Sequence, residues 1–315
     1  MGRCPDCRQW NSLVETTVTT TTVSARPVSP VNPPQELSQV VLEAADRFPL
    51  NLSEVNRVLG GGLVSGSLVL IGGEPGIGKS TLLLQVSASV TLAQDTVVYV
   101  SGEETIRQVK LRSERLGIRG EKLYLLAETD LEVILNQLEQ LSPRLVVIDS
   151  IQSVYLPELD TAPGSITQVR ECTLRLMQWA KLSGVPIFIT GHVTKEGAIA
   201  GPRVLEHIVD VVLYLDGEQF SAYRLLRCVK NRFGSTNEVG IFEMKSQGLV
   251  EVDNPSQVFL SQRWDEAIGS VVVPTLEGSR PLLVEIQALT NPTSFGLPRR
   301  TANGVDFGRL LLITA

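Results

Sequence analysis

The sequence predicts an α/β fold with a mostly parallel central sheet that carries a phosphate-binding loop. Three observations predict it. The run 68–84, LVLIGGEPGIGKSTLLL, sets an apolar β-prone stretch, a loop fitting G-x-x-x-x-G-K-[ST] and a helical stretch in direct succession. Short apolar runs recur at 96–101 (TVVYVS), 144–149 (RLVVID) and 185–190 (VPIFIT), with helical stretches between them. Acids stand at the ends of two of these runs, Glu103-Glu104 and Asp149, and the C-terminal edge of an open α/β sheet is where ligands sit.

Composition sets the frame. The chain has 315 residues, 43% hydrophobic and 20% charged, which fits an ordinary soluble globular protein of about two domains plus shorter segments. No apolar run reaches membrane-spanning length and no signal peptide opens the chain. The net charge of -6 excludes a surface that attracts nucleic acid as a whole, so any DNA contact must come from local basic loops. Four cysteines without a disulfide-like spacing point to the reducing cytoplasm.

Residues 1–15 contain Cys4-Pro-Asp-Cys7, one C-x-x-C, which is half of a tetrahedral zinc site. Cys172 falls in a helical pattern and Cys228 in a strand pattern, so neither offers an obvious second half. A redox pair is the rival reading, but no βαβ pattern surrounds it. The chain is expected to hold zinc weakly or not at all. Residues 16–36 read as a threonine- and proline-rich linker in extended conformation. The core is expected over 37–258. It opens with a short helix, 52–59, that ends in glycines.

The loop spans Gly73, Glu74, Pro75, Gly76, Ile77 and Gly78, followed by Lys79, Ser80 and Thr81. Glycines let backbone N–H groups turn inward around phosphate oxygens, and the following helix start adds its positive dipole end. Lys79 supplies a point charge for the β- and γ-phosphates of ATP, and Ser80 offers its hydroxyl to Mg²⁺. The bland alternative is a glycine turn before a core helix, which the lysine, the serine and both flanking elements argue against.

After helix 82–92, strand 96–101 delivers Glu103 and Glu104. One carboxylate there polarises water for attack on the γ-phosphate while the other caps helix 105–116; Glu103 is the preferred base. That helix is charged on one face, which reads as solvated surface. Strand 123–126 and helix 130–141 lead to Asp149, placed to hold Mg²⁺ through water beside Ser80. A loop over 154–164, helix 165–183 and strand 185–190 follow. Next comes the polar, glycine-rich segment GHVTKEGAIAGPR. His192 in it either senses the γ-phosphate or is structural, and the residues leave both open. Paired strands at 209–215 and 223–229 end in KNRFG. Lys230 and Arg232 there face solvent, a neighbouring subunit's phosphate or a nucleic-acid backbone. A hairpin at 241–245 and 249–252 closes the sheet. From residue 259 a separate hairpin signature begins at 269, and the chain stops inside an apolar run, so both ends are expected to be truncated relative to a folding unit.

Taken together, the motifs resemble the bacterial RadA (Sms) family of DNA repair proteins. CPDC before WNSLVE resembles the second half of that family's four-cysteine zinc knuckle, and GGEPGIGKSTLLLQ its phosphate loop. YVSGEE, LVVIDSIQ and GHVTKEGAIAGPRVLEH resemble the next three segments, and KNRFGSTNEVGIFEM the family's hallmark motif. SVVVPTLEGSRPLLVEIQALT and PRRTANGVDFGRL resemble the start of its Lon-protease-like domain, incomplete here over 259–315. The resemblance implies a RecA-like ATPase core that assembles as a homo-oligomer, a hexameric ring, on single-stranded and branched DNA beside a RecA-type recombinase. It implies ATP hydrolysis coupled to branch migration in recombinational repair. Lys79 and Ser80 would bind nucleotide and Mg²⁺, Glu103 would activate water, and Lys230 and Arg232 would act across a subunit interface or on DNA. Zn²⁺ belongs to the family's full knuckle. Two other readings stand beside the DNA-stimulated motor: a nucleotide-switched scaffold of the related two-glutamate group, and an ATP-dependent protease.

Overall fold

A nine-stranded sheet forms because six strands lie within a repeating strand–helix sequence and three more append as hairpins. The computed structural model describes residues 36–39, 47–191, 205–217, 222–260, 268–292 and 299–314. The chain divides into Met1–Glu43 and Ala44–Ala315. In the first unit the described residues form one 3-10 turn, Leu37–Gln39. Cys4, Cys7, the 16–35 part of the expected linker and His192 lie outside the described residues.

In the second unit, β1 (Arg47–Phe48) pairs with β2 (Leu63–Val64) around α1 (Ser53–Leu59). Next come β3 (Leu68–Gly72), α2 (Lys79–Thr91), β4 (Val97–Ser101), α3 (Ile106–Arg115), β5 (Leu123–Leu126) and α4 (Leu131–Leu141). They are followed by β6 (Leu145–Asp149), α5 (Ile166–Ser183), β7 (Ile187–Thr190), β8 (Val211–Asp216), β9 (Tyr223–Asn231), β10 (Val239–Lys245) and β11 (Gly248–Glu251). A short α6 (Pro255–Leu260), a hairpin of β12 (Ser270–Glu277) and β13 (Arg280–Gln287), and α7 (Phe307–Thr314) close the chain.

The sheet order is β11-β10-β9-β8-β3-β7-β6-β4-β5. From β5 to β8 every neighbour is parallel; from β8 to β11 the pairs are antiparallel. The mostly parallel α/β sheet expected from the sequence is therefore present. Strands covered on both faces read as unbroken apolar runs, as β3 and β4 do. Side chains alternate between two cores. In β6, Leu145 and Val147 join α1, α2 and Val109 of α3 on one face, while Val146 and Ile148 join α4 and α5 on the other.

Local chemistry fixes the helix ends. Thr105 and Gln108 form a reciprocal capping box at the start of α3. Asp130 and Ser165 cap α4 and α5 through their side-chain oxygens, and left-handed Gly184 ends α5. Gln85 of α2 pairs with both backbone groups of Leu249, tying the helix to β11 as a strand neighbour would. Glu54 of α1 is buried and accepts from the Ile241 N–H at 2.8 Å and from Arg280 of the hairpin at 2.6 Å. Among the described residues no helix is long and apolar enough to cross a membrane.

Candidate active site

Because β3, β6 and β4 run parallel, their C-terminal ends open at one edge of the sheet. The residues following them meet in a cavity of about 280 Å³. From the loop and the start of α2 come Gly76, Gly78, Lys79, Ser80 and Thr81. Strand ends contribute Ser101, Glu103, Glu104 and Asp149. Of the other predicted loop residues, Gly73 and Glu74 turn their carbonyls to the Lys79 ammonium at 2.8 and 2.9 Å. Ile77 is buried in the core below, and Pro75 is not part of the lining. Gly73 has φ +147°, and a Cβ there would stand 2.5 Å from the Leu215 carbonyl oxygen, so only glycine allows this turn.

Lys79 is 5% exposed. Burial holds its pKa below the usual lysine value, and the charges of Asp149 and Glu103 offset that only in part. An ammonium kept largely buried near two carboxylates is prepared for a polyanion that brings its own charge.

The two glutamates separate in the structure. Glu104 is bound by the Arg112 guanidinium, and its backbone N–H is held by Ser101 Oγ at 3.1 Å. Glu103 instead accepts from Ser150 Oγ and faces the Lys79 charge. Gly102, just before the pair, is packed so closely that a Cβ would stand 1.9 Å from Ser153 Oγ. Asp149 accepts from Tyr99 Oη at 2.5 Å and from Thr190 Oγ1 at 2.8 Å. Ser80, Thr81, Glu103 and Asp149 offer oxygen donors alone, the set that Mg²⁺ takes together with phosphate oxygens. Among the described residues no group of three histidine, cysteine or acidic side chains could hold a metal by itself, and Cys172 and Cys228 are free and buried. Burial pushes their thiols up to about 12 and about 11.

Two cavity residues escaped sequence reasoning. Arg112 and Arg115 of α3 line the cavity, although the charged face of that helix reads as solvated surface. Arg112 Nη1 is buried and has no hydrogen-bond partner. The available signal was spacing: Glu104 precedes the helix and Arg112 lies two turns into it, on the face that looks back at the strand end.

Lys230 and Arg232 do not join this cavity within one chain. Antiparallel β9 places Asn231 beside Val211, at the opposite end of the sheet from the loop. Arg232 donates its backbone N–H to Asp210, whose own N–H bonds Leu68; five residues of strand, roughly 16 Å, separate that level from Gly73. Lys230 caps a turn, donating to the carbonyls of Glu206 at 2.5 Å and Val209 at 2.8 Å. Arg232 Nη1 and Lys181 both pair with the buried Asp210 carboxylate, at 3.2 and 2.8 Å. Asn231 and Phe233 are stitched to the first turns of the unit through Leu59 and Arg47.

Comparison with known proteins gives consistent results. The AAA domain family matches residues 32–198. DNA repair protein RadA of Halalkalibacterium halodurans is 56% identical over 100% of this chain and 70% of that protein. The RadA proteins of Bacillus subtilis and Listeria monocytogenes are 54% and 55% identical over 100% of this chain, which covers 70% and 69% of them. Among solved structures, a KaiC-like protein from Pyrococcus horikoshii superposes with a TM-score of 0.55 at 22% identity, covering 65% of this chain and 98% of that one. That last likeness concerns the fold.

Proposed function

The chain belongs to the DNA repair protein RadA family, and from that premise we propose that it is a DNA-dependent ATPase of recombinational repair, acting on branched intermediates and promoting branch migration. The observation that carries the proposal is the meeting of Lys79, Ser80, Glu103 and Asp149 on one cavity at the strand ends.

In this reading the loop N–H groups and the start of α2 bind the phosphates of ATP, and Lys79 shifts from the Gly73 and Glu74 carbonyls to the β- and γ-phosphates. Glu103 orients a water for in-line attack and takes its proton, with Ser150 fixing its carboxylate. Glu104, neutralised by Arg112, is the structural partner of the pair. Ser80 and Asp149 would hold Mg²⁺, which supplies neutralisation of the developing phosphate charge. Arg232 stands too far from the loop of its own chain, which supports a role toward a neighbouring subunit's phosphate or toward DNA. Lys230, engaged with three carbonyls, holds the turn that presents the motif.

We further propose a hexameric ring, single-stranded DNA and a RecA-type recombinase as partners, a cytoplasmic setting, and the division 1–15, 16–36, 37–258 and 259–315. The last of these segments is the start of a Lon-protease-like domain. Cys4 and Cys7 stay as half of a zinc knuckle.

The test is ATP turnover with and without single-stranded DNA, alongside the mass of the protein with a bound ATP analogue. Stimulation by DNA that falls as salt rises, with a ring-sized mass, is expected. Turnover indifferent to DNA would instead favour the nucleotide-switched scaffold, and absence of ATP binding would end both.

A further inference from the structure

Sheet order sets β6 between β7 and β4, so the carboxylate ending β6 has a donor-bearing strand on each side. In register, Asp149 stands opposite Ser101 of β4, and Ile148 opposite Ile189 of β7. Tyr99 therefore lies two residues before the level of Asp149 on one neighbour, and Thr190 lies at that level on the other. Tyr99 is fully buried, and a buried tyrosine needs a partner for its hydroxyl. It finds Asp149 Oδ2 at 2.5 Å, while Thr190, 1% exposed, donates to Oδ1 at 2.8 Å. Neither side chain is among those lining the cavity. Each oxygen of the proposed Mg²⁺ carboxylate is thus held from behind by a hydroxyl on a rigid, buried strand.

We infer that Tyr99 and Thr190 are positioning residues for the divalent cation: they fix the plane of the Asp149 carboxylate so that its remaining lone pairs face the water shell of the metal. The inference rests on the proposed nucleotide site and deepens it. Its physical basis is that a carboxylate on a single-bonded stem rotates freely unless both oxygens are held, and a rotating ligand loses affinity for a cation that demands near-octahedral geometry.

The experiment uses the full chain and a fluorescent ADP analogue, titrated with Mg²⁺ and repeated with Mn²⁺, with unfolding followed in parallel. In Tyr99→Phe and in Thr190→Val the Mg²⁺ concentration for half-maximal nucleotide binding should rise roughly tenfold, the scale of losing one outer-sphere partner. Nucleotide affinity in EDTA should not change. Thr190→Ser, which keeps the hydroxyl, should restore the wild-type midpoint. If either variant loses thermal stability while its Mg²⁺ midpoint stays at the wild-type value, the hydroxyls serve packing alone and the inference is overturned. Should Tyr99→Phe fail to fold, the Thr190 pair of variants decides. Failure of the wild-type chain to bind nucleotide at all would sink the site assignment itself, a result distinct from unchanged midpoints.

Discussion

Removing the Asp210 carboxylate separates what a buried charge contributes to folding from what it contributes to the KNRFG motif. Its side chain is 2% exposed and accepts three bonds: the Leu68 N–H at 3.1 Å, Lys181 at 2.8 Å and Arg232 at 3.2 Å. In Asp210→Ala the Leu68 N–H at the head of the central strand loses its acceptor, which costs about 1–3 kcal/mol. Lys181 and Arg232 are 45% and 52% exposed, so water takes over most of their solvation and each lost pair counts for only ~0–1 kcal/mol. The expected loss is about 1–5 kcal/mol, centred near ~3, against the ~5–15 kcal/mol of an ordinary domain, so the variant is expected to fold. Asp210→Asn keeps an oxygen for Leu68 and gives up only the charge, so it should lose no more than about half as much. Urea unfolding measures both, since ~3 kcal/mol at an m-value of about 3 kcal/mol/M lowers the midpoint by ~1 M. Equal losses in the two variants would refute the reasoning, because the charge pairs and not the backbone bond would then dominate. A loss below about 1 kcal/mol in Asp210→Ala would refute it as well.

Further outcomes concern the cavity. Lys79→Ala should lower ATP turnover by at least about a hundredfold, the scale of deleting one positioned cation, as read in a phosphate-release assay. Glu103→Gln should retain ATP binding and lose turnover by about 10²–10⁴. Glu104→Gln should mainly lower the melting temperature through its Arg112 pair, and the opposite ranking would exchange the two roles. Because the Lys79 pKa lies below 10.5, nucleotide affinity should weaken on the alkaline side at a pH where an ordinary lysine is still charged. In the same window the unfolded chain binds the extra proton, so this group's contribution to folding stability moves upward with pH; affinity measured from pH 7 to 10 checks the first sign and urea midpoints the second. Gly102→Ala should destabilise by ~1–3 kcal/mol, since the new Cβ would lie 2.5 Å from Ser153 Cβ, and Ser153→Gly in the same chain should recover part of it.

Much of this molecule is written locally. The strand–loop–helix at 68–84 needs only glycines, a lysine and a hydroxyl at fixed offsets, and a buried parallel strand betrays itself by an unbroken apolar run. The order of strands and helices from residue 68 to 252, the acids at two strand ends and the motif-by-motif likeness to RadA therefore came from the chain alone, whereas the small β1–β2 pair did not. Other facts depend on which strands become neighbours. Glu103 and Glu104 are adjacent and chemically alike, and only the approach of Ser150 from one side and Arg112 from the other distinguishes them. Arg112 and Arg115 look like solvated helix surface until α3 folds back over the cavity. Lys230 and Arg232 read as cations facing solvent, a neighbouring subunit or nucleic acid, and only antiparallel β9 sets them at the far end of the sheet, beside Asp210 and three carbonyls. Tyr99 and Thr190, 91 residues apart, become joint partners of Asp149 because β6 inserts between their strands. Sequence determines which chemistry the chain carries, since spacing along a strand or helix is a local property. Tertiary structure decides which groups hold one another, because strand order is a long-range outcome of burying both faces of one sheet.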